Sequence, residues 1–448
     1  MTRFDFSNSI INQVAQQIDE ADSYVKIAIF QLHNTQIINK LIDKVRNSVS
    51  VEVLTLPYDS INDEVRQQVT ERLEELRRAG ANLHFCKWNV GDPERTTTAV
   101  GRWYSFHGKF MVTDKAAISL SANLTNNPEL DAILVFSNQA NKIEEFNNKF
   151  EELKNLFIIP NNGYDGTIRQ KILDTSNPRA SEVFQVPRSI QASVHGRNWI
   201  LHYPPELCPE NTEIEEKLYV VPFDCRGRNL IMKLIEEAEE FVYISTESFT
   251  DKEFPNFLKK IKFKDIDVKI LTGYTSMDFS DRIQIFMKEL LGTGIELNTT
   301  LEDLHAKFII TDKLVALTSI NLNNMNLGFK KTAGFWRENT ETIAICRNQQ
   351  IINEAKEKYL RIFNSSEKII DKIAEKNAVI AGKLLKNAFN ISSSSDAKKY
   401  LAKIALEQEI NKEKKVYDIV RKAIELKEER NLNRITKDLL DEAANSLN

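Results

Sequence analysis

The stretch HGKFMVTDKAAISLSANLTNN at 107–127 recurs as HAKFIITDKLVALTSINLNNM at 305–325. The two align without a gap and share His, Lys, Phe, Thr, Asp and Lys, followed by a Ser and an Asn at equal offsets. The histidines, His107 and His305, stand 198 residues apart in a chain of 448. A duplication of that period constrains the fold: both copies must build the same unit, and two like units can pair about a common axis.

The rest of each half repeats in order. YVKIAIF (24–30) corresponds to FVYISTESF (241–249), and VSVEVLTL (49–56) to DVKILTGY (267–274). Each pair of strand-like runs precedes a helical pattern, at about 61–79 ending at Gly80 and at about 280–291 ending near Gly292. Another strand-like run follows, ANLHFCKW in one half and IELNTT in the other. Strands alternating with helices predict α/β halves with largely parallel sheets. Farther along, Glu129 and Ala132-Ile133 line up in pattern with Glu341 and Ala344-Ile345.

These repeats divide the chain into a first half (1–160), a connector (161–217), a second half (218–365) and a charged C-terminal region (366–448). The connector mixes prolines with apolar FQV and WILHY and reads as a segment with some strand content. The C-terminal region carries 17 basic and 14 acidic residues, interrupted by SSSS at 392–395, so it is mildly positive where the chain as a whole is at −4. Spacings such as Leu401, Ile404, Ala405 and Val416, Ile419, Val420 predict amphipathic helices that pack on the body or meet a protein partner or a second copy.

Each motif reads H-x-K-x4-D. On a strand, period 2 places His107 with Lys109, and His305 with Lys307, on one face. An imidazole beside an ammonium, present twice, suits a phosphate: lysines bind non-bridging oxygens, one imidazole attacks phosphorus and the other protonates the leaving oxygen. Ser121, Asn123, Ser319 and Asn321 offer hydroxyl and amide groups for further oxygens or for orienting the lysines. One such match arises by chance in a chain of this length at roughly a few per cent; two at equivalent places in a repeat do not. A pseudo-twofold pairing would bring both histidines to a single phosphate. Each imidazole then needs an acceptor on its second nitrogen, and Glu129 and Glu341 are candidates, with Asp131 a rival in the first half.

At these residues the chain resembles the phospholipase D superfamily, whose HKD signature is H-x-K-x4-D followed by G-S-x-N. The resemblance covers roughly 1–160 and 218–365. It implies a fold of class α/β, with tandem duplicated sandwich domains related by a pseudo-twofold and one active site at their interface; the helical C-terminal tail lies outside it. It also implies phosphodiester hydrolysis through a phosphohistidine, without metal or other cofactor. By the family's usual order His107 is the nucleophile and His305 the general acid, while Lys109, Lys307, Asn123 and Asn321 bind phosphate. Asp114 and Asp312 complete the signature, and in this family they often support the site structurally. The glycine of G-S-x-N is replaced by Leu120 and by Thr318, which predicts a narrower phosphate pocket.

Membership does not choose the substrate. No stretch approaches the roughly 20 apolar residues of a membrane span, and the N-terminus has no secretory pattern, so the chain reads as cytoplasmic. Four scattered cysteines argue against a disulfide framework or a zinc finger. The segment 89–105 before the first motif carries Arg102 and Trp103, and the segment after the second carries Lys331 and Trp336. Aromatic and basic side chains at the mouth of such a site suit base stacking and backbone phosphates. The leading expectation is a nuclease acting on DNA or RNA, of a kind found in bacterial restriction or phage-defence systems. The alternatives are a phospholipase or phosphatidyltransferase, and a nucleic-acid-binding subunit that does not cleave.

Overall fold

The apolar runs of the two halves become two eight-stranded sheets with the same strand order. The computed structural model describes residues 1–55, 63–86, 106–127, 129–159, 191–195, 198–202, 213–221, 224–249, 251, 253–273, 290, 293–300, 303–327, 329–331, 335–337 and 339–369. The first half runs β1 (Thr2–Ser7), α1 (Ile10–Asp19), β2 (Tyr24–Ala28), α2 (Thr35–Arg46), β3 (Ser50–Thr55), α3 (Asp63–Ala79) and β4 (Asn82–Cys86). It continues with β5 (Phe110–Thr113), β6 (Ala116–Leu120), β7 (Asp131–Ser137), α4 (Ala140–Phe157) and β8 (Ile158–Ile159). A hairpin of β9 (Gln191–His195) and β10 (Asn198–His202) falls in the connector.

The second half runs β11 (Leu218–Val221), α5 (Gly227–Glu236), β12 (Phe241–Thr246), α6 (Phe254–Lys262), β13 (Asp267–Thr272) and β14 (Glu296–Thr299). It continues with β15 (Phe308–Thr311), β16 (Val315–Thr318), α7 (Asn324–Leu327), β17 (Phe329–Lys331) and β18 (Phe335–Arg337). It ends with β19 (Glu341–Cys346), α8 (Gln349–Ser365) and β20 (Glu367–Lys368). The helix predicted at 280–291, apart from Leu290, and the C-terminal helices beyond residue 369 lie outside the described residues.

The sheet orders are β1-β7-β6-β5-β2-β3-β4-β8 and β11-β19-β16-β15-β12-β13-β14-β20, copy for copy. Among the described strands only β2-β3-β4 and β12-β13-β14 pair in parallel, so the sheets are mixed and not largely parallel as expected. The cause is loop length: two residues join β5 to β6, and so short a link closes only an antiparallel hairpin. Each helix is formed by an apolar stripe with local end signals. Helix α2 buries Ile37, Ile38, Leu41 and Ile42, and its N-cap Asn34 accepts a hydrogen bond from the Ile37 amide. After α3, Gly80 takes φ 113°, a conformation that favours glycine.

One core lies between the two sheets. Phe4, Phe110, Phe136, Phe241, Tyr243 and Phe308 enclose Phe146 and Phe150 of α4 with Tyr359 and Phe363 of α8. Separate cores on the outer faces seat α1, α2 and α3 on one sheet and α5 and α6 on the other. The halves therefore share an apolar core, and burial at roughly 25 cal/mol per Å2 holds them in one arrangement.

Candidate phosphate site between the halves

The segment before each motif strand docks on the opposite half. Phe106 bridges Thr340, and Leu130 bridges Leu304. The His107 amide donates to the Thr340 carbonyl at 2.7 Å, and the His305 amide to the Leu130 carbonyl at 3.0 Å. These contacts are reciprocal, as a twofold relation between copies requires. Gly108 sits tightly in this seam: a Cβ there would lie 2.8 Å from Thr342 Cγ2. The Lys109 amide donates to Thr342 Oγ1 at 3.1 Å.

The histidines are held crosswise. His107 Nδ1 lies 2.9 Å from Glu341 Oε2, and His305 Nδ1 lies 2.9 Å from Asp131 Oδ1. Glu341 and Asp131 are the first residues of β19 and β7, so Asp131 is the structural counterpart of Glu341. Glu129, aligned with Glu341 by sequence pattern, is two residues out of that register; its carboxylate lies 3.6 Å from His305 Nδ1. With each Nδ1–H donated to a carboxylate, both Nε2 atoms remain for chemistry.

The serine hydroxyls are engaged by the carboxylates that meet the histidines. Ser121 Oγ donates to Asp131 Oδ1 at 2.7 Å and accepts from the Ala132 amide at 2.8 Å. Ser319 Oγ donates to Glu341 Oε2 at 2.5 Å and accepts from the Thr342 amide at 2.9 Å. Both are fully buried, so they brace the carboxylates that hold the histidines. Asn326 also donates to Glu341 Oε1. The repeat gives no signal for this partner, because Pro128 stands at the same offset in the first copy.

The signature aspartates follow the far ends of the motif strands. Asp114 accepts the Asp22 amide at 3.0 Å, and Asp312 accepts the Glu239 and Glu240 amides at 2.9 and 3.1 Å. These bonds fasten turns, as a supporting role for the signature aspartates requires. Leu120 points into the outer core and Thr318 Oγ1 accepts the Ile320 amide, so neither replacement narrows the pocket by its side chain.

Around the Nε2 atoms the halves differ. Lys109 Nζ lies 3.1 Å from His107 Nε2 and donates to the His107 carbonyl at 3.0 Å. Lys307 Nζ donates to the His305 carbonyl at 2.6 Å and pairs with Glu247 Oε2 at 2.9 Å. Asn123 Nδ2 reaches across to 3.5 Å from His305 Nε2. Asn321 Nδ2 donates to Glu247 Oε2 at 3.1 Å. Glu247 had no motif to mark it. It follows β12, where the pairing of Val25 with Thr113 and of Val242 with Thr311 makes it the counterpart of Phe30 in the first half. Phe30 packs edge-on against His107, ring centroids 4.8 Å apart.

Burial lowers the His107 pKa to about 4, with Lys109 and Lys307 adding to the fall and Glu341 opposing it. Burial likewise lowers Lys109 to about 7, helped by Lys307. Burial works against ionisation of Glu247, but Lys307, His305 and the Asn321 hydrogen bond outweigh it and hold this carboxyl well below the usual range. Burial raises Glu129, and nearby Asp131 adds to the rise.

Among the described residues, Glu129, Asp131 and His305 bring three metal-capable atoms within 4.8 Å of one another. The Asp131–His305 contact recurs as Glu341–His107 in the other half, so hydrogen bonding accounts for it. Arg102 and Trp103 lie outside the described residues; Lys331 and Trp336 are placed by backbone alone, on the β17–β18 hairpin that leads into Glu341.

Duplicated α/β halves that bring two H-x-K histidines to one interface define a phospholipase D-like protein. The chain belongs to that family: the model described as cardiolipin synthase, PLD-like domain, matches residues 14–154 and 231–365. A phosphatidylserine synthase from Haemophilus influenzae Rd KW20 is similar in fold, with TM-score 0.57 and 14% identity over 90% of this chain and 95% of that one. Nuc from Salmonella typhimurium, a phospholipase D family member, is 20% identical over 34% of this chain and 95% of its own, with TM-score 0.28. Polyphosphate kinase from Porphyromonas gingivalis matches at 10% identity and TM-score 0.42 over 80% of this chain, which spans about half (49%) of that protein. No curated protein sequence matches. No helix among the described residues is long and apolar enough to cross a membrane.

Proposed function

We propose that the chain is a phosphodiesterase that cleaves nucleic acid through a phosphohistidine. The observation that carries the reading is the crosswise pair, His107 on Glu341 and His305 on Asp131, which engages each Nδ1 with a carboxylate of the opposite half and leaves each Nε2 for a phosphate. His107 Nε2 attacks phosphorus, the phosphorus–oxygen bond to the leaving group breaks, and that oxygen takes a proton from His305 Nε2. Water, deprotonated by His305, then displaces His107 by breaking the phosphorus–nitrogen bond. Lys109, Lys307, Asn123 and Asn321 bind the non-bridging oxygens and stabilise their charge in the transition state. A nucleic-acid substrate is supported by the aromatic and basic residues that adjoin the site in sequence, Arg102 and Trp103 on one side, Lys331 and Trp336 on the other.

The second reading, transfer or hydrolysis at a phospholipid, is favoured by the family model's description. Labelled single- and double-stranded DNA and RNA, and phospholipid vesicles, incubated with the chain in EDTA beside His107→Ala and His305→Ala separate the two. The expected result is nucleic-acid cleavage that survives EDTA and is lost in both variants. Turnover of phospholipid alone replaces the first reading with the second, and cleavage that persists in both variants refutes the site.

A further inference from the structure

In the second half, the donors that would receive a phosphoryl oxygen already converge on one carboxylate oxygen. Glu247 Oε2 lies 2.9 Å from Lys307 Nζ, 3.1 Å from Asn321 Nδ2 and 3.7 Å from His305 Nε2. These are one ammonium, one amide and one imidazole, the same set that H-x-K and the following Asn present to phosphate in the proposed reaction. Among the described residues the first half has no carboxylate at the equivalent strand position, because Phe30 stands there and Lys109 Nζ lies 5.6 Å from the centre of its ring. Around the Nε2 atoms the duplicated site is therefore unequal at Phe30 and Glu247.

We propose that Glu247 is a specificity-determining residue whose carboxylate holds the place of a substrate phosphoryl oxygen and makes the site reject free phosphate and terminal monoesters in favour of internal diesters. The inference rests on the reading of this pocket as a phosphate site. To enter, a phosphate must displace the Glu247 oxygen from Lys307 and Asn321 or approach it closely. A dianion such as inorganic phosphate meets more repulsion from that carboxylate than the single charge of a diester does. A diester also brings flanking groups whose binding elsewhere offsets the displacement, as an isolated anion cannot. The carboxylate is ionised across the working range, since its neighbours hold its pKa low. Glu247 is partly exposed, at 30%, so it can swing aside without opening the core.

Tungstate, a phosphate-like dianion, tests this by calorimetric titration of the wild-type chain, Glu247→Gln, Glu247→Ala and Glu247→Gln/Lys307→Met at pH 7. Thermal unfolding of each protein checks its fold. The expected result is tungstate affinity at least tenfold higher in both single variants, with the gain lost when Lys307 is also removed; structural damage would not tighten binding. Equal or weaker affinity in the single variants overturns the role of Glu247 while leaving the phosphate site in place. Absence of tungstate binding in all four proteins overturns the inference together with the phosphate-site reading beneath it.

Discussion

His107, in the first half, donates its Nδ1 proton toward Glu341, in the second, across a separation of 2.9 Å. The reciprocal bond from His305 to Asp131 means that neither half supplies a complete imidazole–carboxylate pair. The carboxylates are in turn braced by Ser319 and Ser121. The site thus depends on how the two sheets are docked, and that docking rests on the shared aromatic core.

Replacing Glu341 by Gln removes the negative charge and turns one of the two oxygens facing His107 Nδ1 into a donor, so the His107 tautomer is no longer fixed. The single-turnover rate of cleavage is expected to fall by about 10²–10⁴-fold with little change in KM. Ser319→Ala, which leaves the carboxylate in place but loosens it, is expected to cost about tenfold. Equal losses in both variants would indicate that Ser319 acts on substrate directly.

Two groups whose pKa is lowered contribute to the pH dependence of kcat/KM. His107 must be neutral to attack, so activity rises with pH through about 4. Lys109 must be charged to hold phosphate, so activity falls as pH rises through about 7. The groups acting on this pair are Glu341, Lys307, Glu247 and Asp131. The expected profile is a bell with those limbs, and Lys109→Arg, which stays charged, is expected to lower the maximum and remove the alkaline limb. An alkaline limb unmoved in that variant would assign it to another group.

Gly108→Ala places a Cβ against Thr342 across the seam between halves. Overpacking there is expected to destabilise the chain by about 1–3 kcal/mol and to impair cleavage, because Gly108 lies between His107 and Lys109. Thr342→Ser, added to it, removes the clashing methyl and keeps the hydroxyl that receives the Lys109 amide. Recovery of the urea midpoint and of activity in the double variant checks the contact.

Glu52 is the centre of a charge cluster away from the site, 2.9 Å from His84 Nε2, 3.0 Å from Lys154 Nζ and 3.8 Å from Lys26 Nζ. The His84 hydrogen bond leads, with Lys154 and Lys26, in lowering its pKa to about 2 against the opposing effect of burial. A depressed carboxyl contributes stability above its unfolded pKa, and that stability is lost as pH falls from about 4.5 toward 2. Glu52→Gln is expected to cost about 1–2 kcal/mol at pH 7 after discounting for solvent screening, and nothing near pH 2. Urea unfolding of both proteins at the two pH values measures the difference.

Local pattern carried most of the architecture. The apolar periods of YVKIAIF and FVYISTESF appear as β2 and β12, and the turn at Gly80 ends α3 where its composition says it should. The parallel expectation failed at the motif strands because a two-residue link decides hairpin geometry and apolar period does not.

The repeated HxK elements, their matching Ser and Asn, and hence the family and the duplicated α/β fold, are legible along the chain, because they are fixed by identity and spacing within each copy. Which carboxylate holds which histidine emerges only when the halves pack. Glu341 is 234 residues from His107 in sequence, and the Asp131 register depends on how β7 and β19 meet the opposite half. The same holds for Glu247: its convergence with Lys307, Asn321 and His305 comes from three separate strand ends, and no short-range spacing along the chain encodes a contact made by packing.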